Sequence, residues 1–458
     1  MSNTETQGTL KKELGLLVLI FLMIGLNVGG SLFSLTSIAA RQTGPALFIA
    51  QILSAIPVLL ALIPYMILTS SVPKTAASYQ YAKNFSYPMA VAGVMVLLVA
   101  MPLGGLPFFA ITNAEYFLQL VPLGTGIDML GFSLTWVQII AILTIIFFYI
   151  VNVIGIKLAG QIEFFMTGLL LLAMVLFVVF GLPAVKAQNF SPLFTGGALG
   201  LVVAAALSYT LLAGGLFGIE LGDEVKDAKK TIPRALVISV FVVLILYILI
   251  EIVAVGVADW KTFAAGKLFT PARVFMPDWL YTFFIFGGIM ACVTTVHAVL
   301  TISGRFAMKF AEDGFFPPIF KKINKRFGTP IWGLTLPLVL SILTILLVKD
   351  LAVLAAMLNF GLLFMVSLVL LFAYNLPKKH PEIFAKSRYK FTPTVLKITA
   401  LSAAILNIFF MLLLCYMILF QSKQQWAVGL FAIAIIAGLI LYFTRKKLGL
   451  VKKPESLI

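Results

Sequence analysis

The chain has 458 residues, of which 61% are hydrophobic and only 11% charged, with a mean hydropathy of +1.09 and a formal net charge of +16. Soluble domains are roughly 45–50% apolar, so the composition excludes a water-soluble globular protein and points to an integral membrane protein. The two cysteines, Cys292 and Cys415, both fall inside apolar runs, which supports neither a disulfide framework nor a thiolate metal cluster.

In chain order, apolar runs of about 20 residues or more, enough for a hydrocarbon core of about 30 Å, predict helical spans and not barrel strands. Twelve are expected, at 14–40, 45–70, 88–120, 135–156, 160–182, 198–222, 234–257, 280–304, 331–348, 351–375, 395–420 and 425–444. The first run is too long for a signal-peptide core and has no small-residue cleavage site before the next span, so it is expected to remain as helix 1. With both termini placed in the cytoplasm, only Arg41, Lys186, Lys261, Lys267, Arg273, Lys349 and Lys423 of the 33 basic residues fall outside. The positive-inside rule favours that orientation and accounts for the basic balance without a nucleic-acid partner. A multi-pass protein of the cytoplasmic membrane is expected, with lipid as its surroundings and the oligomeric state left open.

Helix 1 carries a peculiar stretch at its midpoint, "IGLNVGGSLF" (24–33), in which glycine and polar residues undermine a helix otherwise suited to the bilayer. The sixth helix carries another, "TLLAGGLFGIELGDE" (210–224). Interruptions five helices apart suggest two five-helix halves of opposite entry, an inverted repeat. The expected organisation is a cytoplasmic segment 1–13, a first repeat 14–182, a second repeat 198–375, helices 11 and 12 at 395–444, and a cytoplasmic segment 445–458. Helices 11 and 12 are expected to be peripheral or dimer-forming. Small-xxx-small packing between helices is the competing account of the glycines. A broken helix strands N–H and C=O groups that protein, ion or substrate must satisfy. The freed amides and positive dipole end suit an anionic group, and the opposing carbonyls suit a cation or ammonium, so a zwitterion such as an amino acid fits.

No HExxH, Walker, GxSxG or CxxC arrangement is present, and the helix 1 glycines follow no strand, so no motif supports catalysis or a cofactor. The ionisable candidates inside the apolar runs are His297, Glu115, Glu163, Glu220 and Glu251. His297 is expected to be a packing residue, and Glu251 lies least comfortably for snorkelling to water.

Five segments in order resemble one family. They are Gly25-Leu-Asn-Val-Gly29-Gly30-Ser31-Leu-Phe33, "TGPALFIA" (43–50), "VPKTAASYQYAKNF" (72–85), "GDEVKDAKKTIPRA" (222–235) and "SGRFAMKFAEDGFFP" (303–317). Together they resemble the amino acid-polyamine-organocation transporters, whose five-plus-five inverted-repeat (LeuT-type) fold has discontinuous helices 1 and 6. Ala76 and Ala77 stand where that family usually has glycines. The resemblance implies that the amides of Gly29, Gly30 and Ser31 receive a substrate carboxylate and that carbonyls near Asn27 and Ala213 take the ammonium. It places Thr210 four residues before Gly214 where an aromatic gate is common. Tyr209 or Phe217 then serves as the gate, or the pocket is roomier. Leu170 occupies the position of a lysine that substitutes for sodium in some members. Ala291, Thr294 and Thr295, with carbonyls of Gly25 and Val28, resemble a sodium site, for which hydroxyl and carbonyl oxygens are suitable ligands. The reading is a secondary transporter for an amino acid or related amine with Na+ or H+ as coupling ion. A sodium-independent exchanger, a proton symporter and a non-transporting sensor or structural subunit stand as alternatives.

Overall fold

A computed structural model describes Lys12 and residues 14–129, 132–154, 156–324, 326–348 and 350–451, with side chains described outside 128–133 and 155–163. The segments 1–13 and 445–458 therefore lie partly outside the described residues, and the side chain of Glu163 lies outside them.

The chain opens with α1 (Leu16–Val28) and α2 (Gly30–Thr43), separated by one residue, Gly29. Left-handed Gly44 (φ 71°) then leads into α3 (Leu47–Ser71). A short α4 (Ala77–Phe85) precedes α5 (Tyr87–Val99) and α6 (Leu106–Leu120), which are joined by a π-helical segment, Ala100–Gly105. That segment holds Pro102, Gly104 and Gly105, residue types that disturb regular helix, so the span predicted at 88–120 is interrupted there. A small antiparallel hairpin, Gly126–Met129 with Phe132–Thr135, leads to α7 (Trp136–Ile154) and α8 (Ile156–Gly181). Next come α9 (Gly197–Ala213), a tightened 3-10 segment Gly214–Glu220, and α10 (Ala228–Gly256). Two short helices, α11 (Trp260–Ala265) and α12 (Phe269–Phe275), precede the long α13 (Asp278–Glu312). The chain ends with α14 (Ile331–Leu347), α15 (Leu351–Lys379), α16 (Pro381–Ala385), α17 (Pro393–Tyr416) and α18 (Gln425–Lys447).

This is an all-α, multi-span membrane protein. Among the described residues, ten helical stretches are long and apolar enough to cross a bilayer, where the sequence predicts twelve. The difference has a simple origin. The first stretch, Leu16–Ser71, is 56 residues long and includes the turn at Gly44, and Ile331–Leu347 is a shorter apolar helix. Fifty-six residues of helix would reach roughly 84 Å, far more than a bilayer core of about 30 Å.

The core is organised around α1 and α13. Helix α1 packs against α8, α10, α13 and the Gly214–Glu220 segment, and α13 packs against α6, α7, α8 and α14 as well. Helix α17 lies against α15 and α3, and α18 against α5, so the last two helices are closely docked on the bundle. Their outer faces, with Ile398, Ile405 and Leu412 on α17 and Ile433, Ile436 and Ile440 on α18, are exposed and apolar, as lipid contact requires.

Candidate functional site

The two interruptions meet. Gly29 breaks the first helix with extended ψ (−165°), and α2 begins with no side-chain cap, leaving its first amides without intrahelical partners. The residue at 29 must be small, because a Cβ there would lie 1.4 Å from Thr295 Oγ1 on α13. A Cβ on Gly30 would lie 2.9 Å from Cys292 Sγ and 3.0 Å from the Phe109 ring. On the opposing segment, a Cβ on Gly214 would lie 2.3 Å from the Leu26 carbonyl oxygen, one on Gly215 2.5 Å from Asn27 Nδ2, and one on Gly218 2.5 Å from Met23. The glycines thus allow the helices to approach closely at the same place where the helices break. Packing and interruption are one arrangement.

Asn27 is the tie between the breaks. Its Oδ1 accepts the Gly215 amide at 2.6 Å, and its carbonyl accepts the Tyr247 hydroxyl of α10 at 2.6 Å. The carbonyl expected to face a substrate ammonium is therefore engaged by Tyr247. From α15, Asn359 Oδ1 accepts the Thr210 amide at 3.0 Å, and its Nδ2 donates to the Leu207 carbonyl at 3.2 Å. Neither Tyr247 nor Asn359 carries a sequence signal of this role.

Between the breaks lies a cavity of about 20 Å³, lined by Leu26, Met101, Phe109, Thr210, Gly214, Phe217, Thr295, Val299, Ile302, Leu358 and Leu362. That volume admits about one water, so the centre is collapsed in this conformation. Thr210 and Phe217 face it, whereas Tyr209 is turned away, with its ring 6.2 Å from that of Phe410 on α17. A shift of one residue turns a helix by about 100°, enough to exchange cavity for neighbouring helix. Ser31 and Ala213 are buried close by without lining it. Leu170 is buried in the apolar core.

The five residues of the candidate sodium site are partly assembled. Thr295 Oγ1 lies 3.2 Å from the Gly25 carbonyl oxygen and 3.1 Å from that of Ala291, while Thr294 Oγ1 donates back to Ala291 at 2.8 Å. Val28 is buried next to the break. Oxygens about 2.4 Å from a common centre, at near-right angles, stand about 3.1–3.4 Å apart. The Thr295 hydroxyl stands at that spacing from both the Gly25 and the Ala291 carbonyl oxygens, distances that are also those of its hydrogen bonds to them.

At one end the site is sealed by polar contacts. Leu14 and the segment after Glu224 pair as extended backbone, with Leu14 N donating to Glu224 O at 3.0 Å and Lys226 N to Leu14 O at 2.9 Å. Glu224 and Arg305 form a buried ion pair at 3.1 Å. The Glu220 carboxylate accepts the Ser78 amide at 3.2 Å, and Asp223 accepts that of Thr75 at 2.9 Å. Nearby, Asp313 pairs with Lys83 at 2.8 Å and accepts the Tyr79 hydroxyl at 2.6 Å. At the other end, a cavity of about 450 Å³ is lined by Ser34, Arg41, Glu115, Lys267 and Asp350 among others. There Lys267 pairs with Glu115 and donates to Ser34 Oγ at 2.7 Å, and Arg41 donates to the Ala264 carbonyl at 2.6 Å. Below it Phe33, Tyr116 and Phe269 stack edge to face, and the Tyr116 hydroxyl donates to the Phe33 carbonyl at 3.0 Å. His297 is buried with its ring beside Phe148.

Two broken helices tied across a collapsed centre, closed by polar contacts at one end and by aromatic rings at the other, define a membrane carrier and not an open pore. The chain belongs to the amino acid permease family, whose model matches residues 14–442. It is similar to the methylthioribose transporter of Bacillus subtilis (strain 168), at 27% identity over 415 residues covering 87% of this chain and 88% of that one. It is also similar to the branched-chain amino acid permease BcaP of Bacillus subtilis (strain 168), at 25% over 340 residues (71% and 73%). Cationic amino acid transporter 9, chloroplastic, of Arabidopsis thaliana shares 24% over 335 residues (70% and 59%). The protein is a transporter for amino acids or related compounds and not an enzyme.

Proposed function

We propose that the chain is a secondary active transporter for a neutral amino acid, or related amine, with an apolar side chain. The tie between Asn27 and Gly215 carries this reading, because it holds the end of α1, beside the uncapped start of α2, against the start of the segment that follows α9, so that the two breaks meet. Such a junction offers donors to a carboxylate and acceptors to an ammonium. The cavity lining is aliphatic and aromatic, with hydroxyls only from Thr210 and Thr295 and no carboxylate. A cationic side chain would be buried there without a partner. Lysine and arginine are accordingly poor substrates, and aliphatic or thioether side chains fit.

Transport proceeds by alternating access within a five-plus-five inverted repeat of twelve spans. Opening one end requires the Glu224–Arg305 pair and the Leu14 backbone pairing to part. Opening the other requires Phe33, Tyr116 and Phe269 to separate. Na+ is the coupling ion, held by the oxygens of Gly25, Ala291 and Thr295 with Val28 and Thr294 beside them. Bound there it would add positive charge next to the carboxylate end of the substrate. The proposed location is the cell membrane, and the distribution of basic residues supports an orientation with both termini cytoplasmic.

The test is thermal stabilisation of the purified protein by each of the twenty amino acids and by common amines, in sodium and in potassium buffers. A ligand that binds only the folded state raises its stability by mass action, by about 2.7 kcal/mol at a hundred times Kd. Stabilisation by leucine, isoleucine, valine or methionine, larger in sodium, is expected. Equal stabilisation in both salts would remove the sodium site, and stabilisation by lysine or arginine alone would overturn the side-chain assignment.

A further inference from the structure

Helix α10 carries a carboxyl group that the transport reading does not use. Glu251 is 0% exposed, and neither carboxyl oxygen has a hydrogen-bond partner. One helical turn before it, Tyr247 holds the Asn27 carbonyl at the break between α1 and α2. Residues four apart share a helix face, so the carboxyl and the phenol follow one another along α10.

Among the described residues, no cation is paired with Glu251. Helix α1, the side chains 164–181 of α8, and the segments Gly44–Ala46, Leu182–Ala184 and Ala187–Phe190 carry no ionisable side chain. Helix α3 contributes Tyr65 and α9 contributes Tyr209, both neutral phenols. Of the cations nearby, Lys186, whose amide bonds to the Gly256 carbonyl at the end of α10, and Lys261 on α11 are exposed, and Arg273 on α12 is paired with Asp278 at 2.9 Å. The remaining acids, Glu220, Asp223 and Glu224, are engaged with Ser78, Thr75 and Arg305. Helix α3 does bring one polar side chain to a similar depth. Gln51 lies four residues from the Leu47 end of α3 and Glu251 five from the Gly256 end of α10, about 6–8 Å of helix in each case. The Gln51 amide is also buried with both polar atoms unpaired.

An ionised carboxylate in such a place would give up its hydration with nothing in return, whereas the neutral acid avoids most of that cost. We infer that Glu251 is a proton-binding site, loaded in this closed conformation and unloaded when α10 and α1 part at the Tyr247–Asn27 contact and water reaches the carboxyl. The step is a simple protonation, in which the carboxylate takes one proton from water at one face and returns it at the other. The inference rests on the chain being a transporter and is independent of the sodium site.

The experiment uses the full-length protein in liposomes, with a radiolabelled aliphatic amino acid, in sodium and separately in potassium. Two assays are run on wild type, Glu251→Gln and Glu251→Asp: uptake driven by an imposed pH gradient, and exchange against internal unlabelled substrate. Wild-type uptake is expected to rise at least about fivefold with the gradient. Glu251→Gln, which mimics the loaded acid, is expected to retain exchange and lose the gradient response, and Glu251→Asp to retain both. A gradient response that survives in Glu251→Gln, or is absent from wild type while exchange proceeds, overturns the proposal. Absence of exchange in wild type for every substrate would instead overturn the transport reading. If Glu251→Gln does not fold, proton release or uptake on substrate binding is followed with a pH indicator in weakly buffered wild type. No proton movement then counts against Glu251.

Discussion

Replacing Gly29 with alanine should strike the junction of the proposed substrate and sodium sites with a single methyl group. The new Cβ would meet Thr295 Oγ1 at 1.4 Å, Thr295 Cβ at 2.6 Å and Thr295 Cγ2 at 3.0 Å. Ordinary contact begins near 3.4 Å, so the hydroxyl must retreat by about 2 Å, more than its bonds at 3.2 Å to Gly25 and 3.1 Å to Ala291 can tolerate. Overpacking of this kind costs about 1–3 kcal/mol. Loss of the Thr295 bonds adds about 1 kcal/mol, so a destabilisation of about 2–4 kcal/mol is expected. The partner is tested by Thr295→Ala, which removes the atoms at 1.4 and 3.0 Å and leaves the Cβ at 2.6 Å. The double variant should then be more stable than the sum of the single changes by about 1–2 kcal/mol, in the range of coupled neighbouring residues. Denaturant unfolding of the purified protein, followed by tryptophan fluorescence, measures all four members of the cycle. Wild-type stability of Gly29→Ala, or strictly additive losses in the double variant, would refute the assigned approach of α13 to the helix break.

Three further outcomes test other parts of the site. Changing Thr294 and Thr295 together to alanine should raise the sodium concentration needed for half-maximal uptake by at least about tenfold, the scale on which metal sites respond to lost partners, while saturating sodium restores substrate affinity; an unaltered sodium requirement would dismiss the α13 site. Arg305→Met leaves Glu224 buried and unpaired, a loss of about 3–5 kcal/mol that opening of that end relieves. In a Cys415→Ser background, buried Cys292 beside Gly30 should then be alkylated by maleimide markedly faster, and an unchanged rate would show that the pair does not hold the end closed. Ala76 has φ 51°, a left-handed conformation that costs a residue with a Cβ roughly 1–2 kcal/mol, so Ala76→Gly should be neutral or stabilising by up to about 1 kcal/mol in thermal unfolding. Ala77→Gly, at the first residue of α4, should instead lose about 0.5–1 kcal/mol, and equal effects at the two positions would contradict this geometry.

The position of Ala76 also illustrates how the sequence and the structure divide the explanation. The resemblance expects glycines at 76 and 77, and the backbone identifies 76 as the position that calls for one. The central break was legible in the same way. A cluster of Gly25, Asn27, Gly29, Gly30 and Ser31 inside an apolar run conflicts with uninterrupted helix, and the helix does end at Val28. The competing packing account turned out to describe the same glycines, because a chain that breaks beside another helix must also let that helix approach. The gate was legible only to within a turn. Both Tyr209 and Phe217 are aromatic, and the direction each faces depends on how α9 is rotated against α17 and α1. The close docking of α18 on α5, through Tyr442 beside Tyr87 and Phe315, likewise has no signal in an apolar run that reads like any other span.

By itself the sequence determined that this chain lives in a membrane, that its helices are long enough to cross it, and that two of them are interrupted. These follow from composition, run length and local residue preference, which act within about 20 residues. Only the tertiary structure decided which partners complete the site. Tyr247 reaches Asn27 across 220 residues, Thr295 reaches Gly25 across 270, and Asn359 reaches Thr210 across 149. In a bilayer nearly every helix is apolar over most of its surface, so hydropathy does not specify which faces meet. That choice is made by the fit of small residues, a few buried polar groups and the carbonyls freed at the breaks, all of which become neighbours only when the whole bundle has assembled.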